Sequence, residues 1–515
     1  MKVGQNLFIL FCVLLLLERR GTVGSKILCL HPSPTRSHLM ISQALLEGLA
    51  ERGHQVTMVS SYKMSKPVPN YREVVVPNDD FTSKLARSFL EKPANLWKSM
   101  PQLFMNMMNI ANRTLNDPEF LALKSEHFDL VIVGLFMPDF VLGLGPHFGA
   151  PTVVLFTAGL SSMTADLVGN PLAIAAVPHM VMGKVAHMNF RNRLRNFIIQ
   201  TAEILTMSIA RYYQRQYYEW NFPPDKYPSY DAVLKNVSLV LLNSHFSAGT
   251  PRPYLPNVIE VGGLQIKTRT DPLPQEIQQW LDGAEHGAIY FCLGSNLKSA
   301  DMPEEKLNII VRTLSRLKQR VLFKWETEEL PNQPANVMTK KWLPQSDVLA
   351  HKNLVLFVSH GGLGGMAEAR YHGVPVLGMP MFAEQSGNVQ AAVVEGWAIE
   401  LDYHKISEES FAHAIGRLLN EPNFNKKAKE ISMVFRDRPQ SALELACYWV
   451  EYVLRYKGSP HMRYQGVDLN FWQLHSLDVI SFILAVIYLV WKVTIFVFRR
   501  VKLIVCRRNR KQKTN

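Results

Sequence analysis

From Lys26 onward, short apolar runs alternate with longer stretches in which apolar residues recur every three or four positions. Residues 27–30 (ILCL) read as a strand, 39–52 as a helix closed by Gly53, and 56–60 (VTMVS) as a second strand. Residues 130–134 (LVIVG) and 153–156 (VVLF) repeat the strand pattern. These runs are continuous rather than alternating, so both faces need cover, which predicts a parallel sheet flanked by helices. The pattern restarts after about residue 263, with strands at 288–293, 321–325, 354–358 and 376–379 and helices at 304–317, 365–372 and 388–395. Residues 254–267, with Pro256, Asn257 and the pair Gly262-Gly263, read as a hinge. The expectation is two Rossmann-like α/β domains facing across a cleft, with ligands beyond the carboxyl ends of the strands. Residues 184–221 break the alternation: helical in period, basic and aromatic, they read as a solvated amphipathic helix pair over the first sheet. Membrane contact and a wall of the substrate pocket are the other readings.

The ends of the chain read differently. Lys2, the apolar run 7–17 and the small residues Gly21, Thr22, Gly24 and Ser25 follow the order of a secretory signal peptide over 1–24. Residues 479–498 are apolar save for Lys492 and match a hydrocarbon core of ~30 Å. The tail 499–515 is basic, which places it in the cytoplasm and everything before the span in the lumen. Lysines near the end resemble a dilysine signal for return to the endoplasmic reticulum, so the chain reads as a single-pass type I protein of that membrane. Asn112 and Asn236 head glycosylation sequons. The formal net charge of +13 then loses its force as a sign of nucleic acid: the tail holds eight cations, Lys492 is one more, and residues 1–24 net two, leaving +2 for the lumenal part. Of five cysteines, Cys12 and Cys506 fall outside that part, and Cys29, Cys292 and Cys447 are too scattered for a disulfide framework or a metal site. The expected division is 25–262, 263–470, the span, and the tail.

The densest chemistry lies between Trp342 and Gln385. A strand, then His360-Gly361-Gly362-Leu363-Gly364-Gly365, then a helix would aim free backbone N–H groups and the positive helix end at one anion, a phosphate or diphosphate. His360 can donate to that anion. Trp342 and Gln345 suit stacking under a base and bonding its edge; Glu368 suits ribose hydroxyls, and Glu384 and Gln385 hydroxyls farther out. The letters from Gly362 to Ala367 also satisfy the G-x-G-x-x-A dinucleotide fingerprint, which keeps a nicotinamide or flavin oxidoreductase open as a second reading.

The stretch from Trp342 to Gln385 resembles the signature of the UDP-glycosyltransferases. Residues 243–263 resemble the hinge of the insect-type members, and Ser37-His38 and Phe291-Cys292-Leu293-Gly294-Ser295 stand where that family carries related motifs. The resemblance implies a GT-B fold with an N-terminal acceptor domain and a C-terminal UDP-sugar domain. It implies an inverting transfer of a hexose, glucose by the insect-type likeness, from a UDP-sugar donor to a hydroxyl of a small lipophilic acceptor. His38 would be the general base. Ser295, His360 and the amides of Gly361, Gly362 and Gly365 would hold the diphosphate, with Trp342 and Gln345 on uracil, Glu368 on ribose and Glu384 and Gln385 on the sugar. No metal or other cofactor is called for, and a homo-oligomer is compatible with it. Two departures stand out. The family often ends the strand after Phe128-Asp129 with an aspartate that orients the base, where this chain has Gly134; Asp139 is the nearest substitute, with an N-cap as its alternative role. Glu384 stands where an aspartate is usual. The missing aspartate also leaves room for a catalytically silent UDP-sugar-binding protein.

Overall fold

The structure is a computed structural model that describes residues 24–512 apart from 64–66, 78–80, 94–95, 186 and 383, so the signal-peptide expectation lies outside the described residues. The first half forms a seven-stranded sheet from β1 (Lys26–Leu30), β2 (Gln55–Ser60), β3 (Tyr71–Val75), β4 (Leu130–Leu135), β5 (Thr152–Phe156), β6 (Val237–Leu242) and β7 (Val258–Glu260), in the order β3-β2-β1-β4-β5-β6-β7. The second half forms a six-stranded sheet from β8 (Ala288–Cys292), β9 (Arg320–Lys324), β10 (Val337–Lys340), β11 (Leu354–Ser359), β12 (Val376–Gly378) and β13 (Ala398–Glu400), in the order β10-β9-β8-β11-β12-β13. Every pairing is parallel. The continuous apolar runs are the reason. Leu28, Leu30, Val131 and Val133 enter one core, Ile27, Cys29, Leu130 and Ile132 the core on the opposite face, and the second sheet is likewise covered twice. In each sheet the chain leaves the central pair, β1 and β4 or β8 and β11, in opposite directions, which opens a crevice at their carboxyl ends.

Three elements differ from expectation. The helix after β1 spans Arg36–Glu51 and so begins three residues early, which puts His38 in its first turn. The expected helix pair is one continuous helix, Phe190–Asn221, and its amphipathy is inverted. Asn196, Gln200 and Gln214 are buried and bonded, Asn196 to the Ile174 and Val177 carbonyls and Gln214 to the Met137 carbonyl, while Phe190, Phe197, Leu205, Ile209 and Trp220 are exposed. Polar side chains turn inward there because the loops beneath present unpaired backbone groups that must be bonded. Third, the chain expected to stay with the second sheet as far as residue 470 returns to the first. Helix Ala442–Arg455, opened by a Ser441/Glu444 capping box, buries Ala446, Cys447, Val450 and Val453 in the core behind β1, β4 and β5.

The described residues form one compact body up to Arg463 and a second from Tyr464. The second contains helix Leu477–Gln512, in which Leu477–Cys506 is long and apolar enough to cross a membrane and wholly exposed. Cys29, Cys292 and Cys447 are buried free thiols.

Candidate active site

A cavity of about 850 Å³ lies where the carboxyl edges of the two sheets meet, and both halves line it. The first half contributes His38 and apolar lining from Met40, Phe89, Met100, Leu103 and Phe136. The half-buried His38 ring packs edge-on against Phe136, centroids 4.8 Å apart, and its Nδ1 is buried with no hydrogen-bond partner. Burial pulls its pKa down to about 4, so the imidazole is neutral and can accept a proton across the physiological range. Asp139 is not brought to it. The Asp139 carboxylate is buried, accepts from the Tyr230 hydroxyl at 2.5 Å, and is pushed up to about 6 by burial. The Asp139 side chain bonds no N–H of the turn Phe140–Gly143 that follows it, so the N-cap role is not realised, and its carboxylate is bonded by Tyr230 rather than by His38.

The second half supplies an anion cradle. Helix Leu363–His372 starts at Gly362 with no side-chain cap, leaving its first N–H groups free toward the cavity edge that Gly362, Leu363, Gly364 and Gly365 line. His360 fills a slot between two glycines: a Cβ on Gly294 would sit 2.5 Å from its Cε1 and one on Gly362 2.4 Å from its Nε2. Gly294 (φ +92°) and Gly361 (φ +82°) also hold left-handed backbone that other residues resist. Burial first and the nearby Lys324 charge second lower the His360 pKa to about 4, so it is a neutral donor and acceptor. Ser295 lines the same region.

Lys324 carries no motif in the sequence, although a lysine directly after the apolar run 321–323 is a readable signal. It is nearly buried at the end of β9, lines the cavity, and reaches the Gly294 carbonyl at 2.9 Å and Glu326 at 2.6 Å. Farther along, Trp342 is 52% exposed, an open platform with the Arg36 guanidinium over its ring at 5.5 Å. Gln345 accepts from the Tyr290 hydroxyl at 3.3 Å and donates to Glu368, whose pKa burial raises to about 7. These two predicted side chains are thus brought together. Glu384 is half-buried on the cavity wall and raised by burial. Gln385 turns its Oε1 away to the Met381 and Phe382 N–H groups, which fixes the loop carrying Glu384. The two halves are pinned beside the cavity by Lys184, which reaches Glu395 at 2.8 Å, and Glu395 also holds Arg370 and the Trp397 indole.

Two facing Rossmann-like sheets with a cleft between their carboxyl edges define the GT-B class of glycosyltransferases. The solved structures agree: a UDP-glucosyltransferase from Polygonum tinctorium, in a complex with 3,4-dichloroaniline, has the same fold at a TM-score of 0.57 and 18% identity, covering 84% of this chain and 98% of that one. The family model for UDP-glucoronosyl and UDP-glucosyl transferase matches residues 26–512, and the chain belongs to that family. It is 34% identical to UDP-glucosyltransferase 2 of Dactylopius coccus over 470 residues, 90% of each chain. It is 34% identical to UDP-glycosyltransferase UGT5 of the same insect over 485 residues, covering 93% of this chain and 91% of the relative. The protein is therefore a UDP-sugar glycosyltransferase, and an oxidoreductase built on the glycine fingerprint is set aside.

Proposed function

We propose that this enzyme transfers glucose, with inversion, from UDP-glucose to a hydroxyl of a small lipophilic acceptor, and that His38 is the general base. The observation that carries the reading is one cavity holding a neutral, half-buried His38 among apolar side chains on one side and an uncapped helix start with His360 on the other. The acceptor hydroxyl attacks the anomeric carbon while His38 Nε2 takes its proton. The bond from that carbon to the diphosphate oxygen breaks, and UDP leaves with the electron pair from the opposite face. Charge growing on the departing diphosphate meets the free N–H groups before Leu363, the imidazole of His360, Ser295 and the Lys324 ammonium, groups already in place before reaction. Trp342 stacks on uracil with Gln345 at its edge, Glu368 takes the ribose, and Glu384 with the amide nitrogen of Gln385 faces the sugar. The apolar wall selects a lipophilic acceptor by burial. Glucose is supported by the insect relative named as a glucosyltransferase.

We place the catalytic body in the lumen of the endoplasmic reticulum, with the apolar helix crossing its membrane and the basic tail outside, because cations crowd one end of that helix only. The full-length protein in microsomes, supplied with UDP-glucose, UDP-glucuronic acid and UDP-galactose against a panel of phenols, tests the reading. UDP-glucose is expected to give the highest kcat/KM, and His38→Ala to lower kcat by about 10² to 10⁴ with the UDP-induced rise in melting temperature kept. Unchanged turnover in His38→Ala overturns the mechanism, and turnover of another donor alone overturns glucose.

A further inference from the structure

A histidine acting as a base through one ring nitrogen needs the other held, because that second bond fixes both the tautomer and the ring orientation. His38 Nδ1 is buried, and none of the described residues bonds it. Asp139 is committed elsewhere. A second imidazole lies nearby in the same condition. His31, wholly buried one residue past β1, has its Nδ1 2.6 Å from Ser42 Oγ, and its Nε2 is buried with no partner. The two rings are close enough that charge on His38 disfavours charge on His31. The His31 ring also occupies the space above the end of β4: a Cβ on Gly134 would lie 2.3 Å from its Cγ and Nδ1. Gly134 therefore has no side chain because His31 is there.

We propose that His31 is the positioning residue of the base, its Nε2 accepting the Nδ1–H of His38 and its own Nδ1–H donating to Ser42. The inference rests on His38 being the base. The order of donors follows from the reaction: His38 Nε2 must present a lone pair to the incoming hydroxyl, so its Nδ1 carries the proton. His31 must then accept at Nε2 and donate at Nδ1, and Ser42 Oγ is placed to accept. The two nitrogens that face this role have no other partner, and the bond between them closes as the acceptor seats against His38, as catalytic hydrogen bonds commonly tighten in the substrate complex. The third titratable group on this chain of bonds is Cys29, whose thiol bonds Ser42 and is pushed up to about 12 by burial, so it stays neutral. His31 is held neutral by burial as well. A neutral acceptor raises the basicity of His38 less than a carboxylate does, and it leaves no fixed negative charge in the apolar half of the cavity.

The test uses the full chain, UDP-glucose, and either 1-naphthol or water alone as acceptor, read as UDP released across pH. His31→Phe keeps a flat ring over Gly134 and removes the acceptor. The expected result is about a 10²-fold fall in kcat at pH 7 with KM for UDP-glucose and the UDP-induced melting shift unchanged. Gly134→Asp alone is expected to fail, its side chain having no room beside His31. His31→Ala with Gly134→Asp is expected to recover at least tenfold over His31→Ala and to move the acid limb of the rate profile up by about 1–3 pH units, since a carboxylate then faces His38. A merely structural role would not move that limb. Wild-type kcat in His31→Phe, while His38→Ala is dead, overturns the role of His31 and leaves the base standing. Turnover in His38→Ala removes both. If His31→Phe does not fold, Ser42→Ala decides: a loss of about tenfold in kcat supports the chain of bonds, and none overturns it.

Discussion

Among the described residues, seven imidazoles have folded-state pKa values lowered by burial: His31 to about 3, His38, His245, His360 and His372 to about 4, and His147 and His404 in the same direction. In the unfolded chain each takes a proton near pH ~6.5, whereas the folded chain refuses it until lower pH. Five carboxyls oppose the trend, Glu368 raised to about 7, Asp139 to about 6, and Glu47, Glu384 and Glu400 raised as well, because the folded form holds their protons longer. The five large imidazole shifts outweigh the two large carboxyl shifts and leave the unfolded state binding more protons between about pH 4.5 and 6.5, so stability falls on acidification through that window. The melting temperature measured from pH 7 to pH 5 is expected to drop, and a flat profile would contradict the burial of these rings. At the glycine slot, Gly294→Ala pushes a methyl into the His360 ring and forces a left-handed residue. It is expected to cost about 1–3 kcal/mol and to weaken UDP binding at least tenfold by calorimetry. The glycine-rich turn with its uncapped helix start was legible in the sequence, because a strand, glycines and a helix aim free N–H groups at one spot whatever surrounds them. The partner of His38 was not legible. Asp139 is five residues from Gly134 along the chain yet bonds Tyr230, while His31, seven residues before the base, lies against Gly134 through the fold.

At the scale of elements, the buried central strands other than β6 were readable from their uninterrupted apolar runs, and β3 and β10 were among those that were not. Both are edge strands with a polar or half-exposed face, so their hydrophobic signal is diluted. The division at residue 263 was readable as a restart of the pattern, but helix Ala442–Arg455 shows nothing in its own letters of which sheet it covers. An amphipathic face states that it needs a partner without naming one. That helix meets helix Arg36–Glu51 at Gly48, where a Cβ would come within 2.9 Å of Leu443 and 3.1 Å of the Cys447 sulfur. Gly48→Val is therefore expected to destabilise the protein by about 1–3 kcal/mol through overpacking, and a chain ended at Gln440 to lose the first sheet's cooperative melting although that sheet is complete. Equal melting of Gly48→Val and wild type would show the contact to be loose. The inverted helix Phe190–Asn221 makes the same point from the other side. Its apolar and polar positions are evident in sequence, but which face turns inward depends on the unpaired carbonyls of the loops beneath it.

For the whole molecule, the described residues divide at Tyr464 into the catalytic body and a segment whose exposed helix is long and apolar enough to cross a membrane. Full-length protein is expected to remain in the membrane fraction after alkaline carbonate extraction, and loss of residues 464–515 to abolish that resistance. Persistence without the segment would assign anchoring elsewhere. By itself the sequence determined what local pattern can determine: the α/β class, the anion-binding turn at His360, the apolar span, and the placing of most of the +13 charge beyond the catalytic body. Each follows from neighbours within a turn or a strand, where spacing alone sets geometry. Only the tertiary structure decided that Lys324 reaches the Gly294 carbonyl, that the last helix of the body returns to the first sheet, that Asp139 serves Tyr230, and that His31 stands over Gly134 beside an unpartnered His38. Those relations join residues distant along the chain, or aim near ones by packing. Burial, which lowers the pKa of His38 and His360 and raises that of Glu368 and Glu384, exists only once the chain has closed around them.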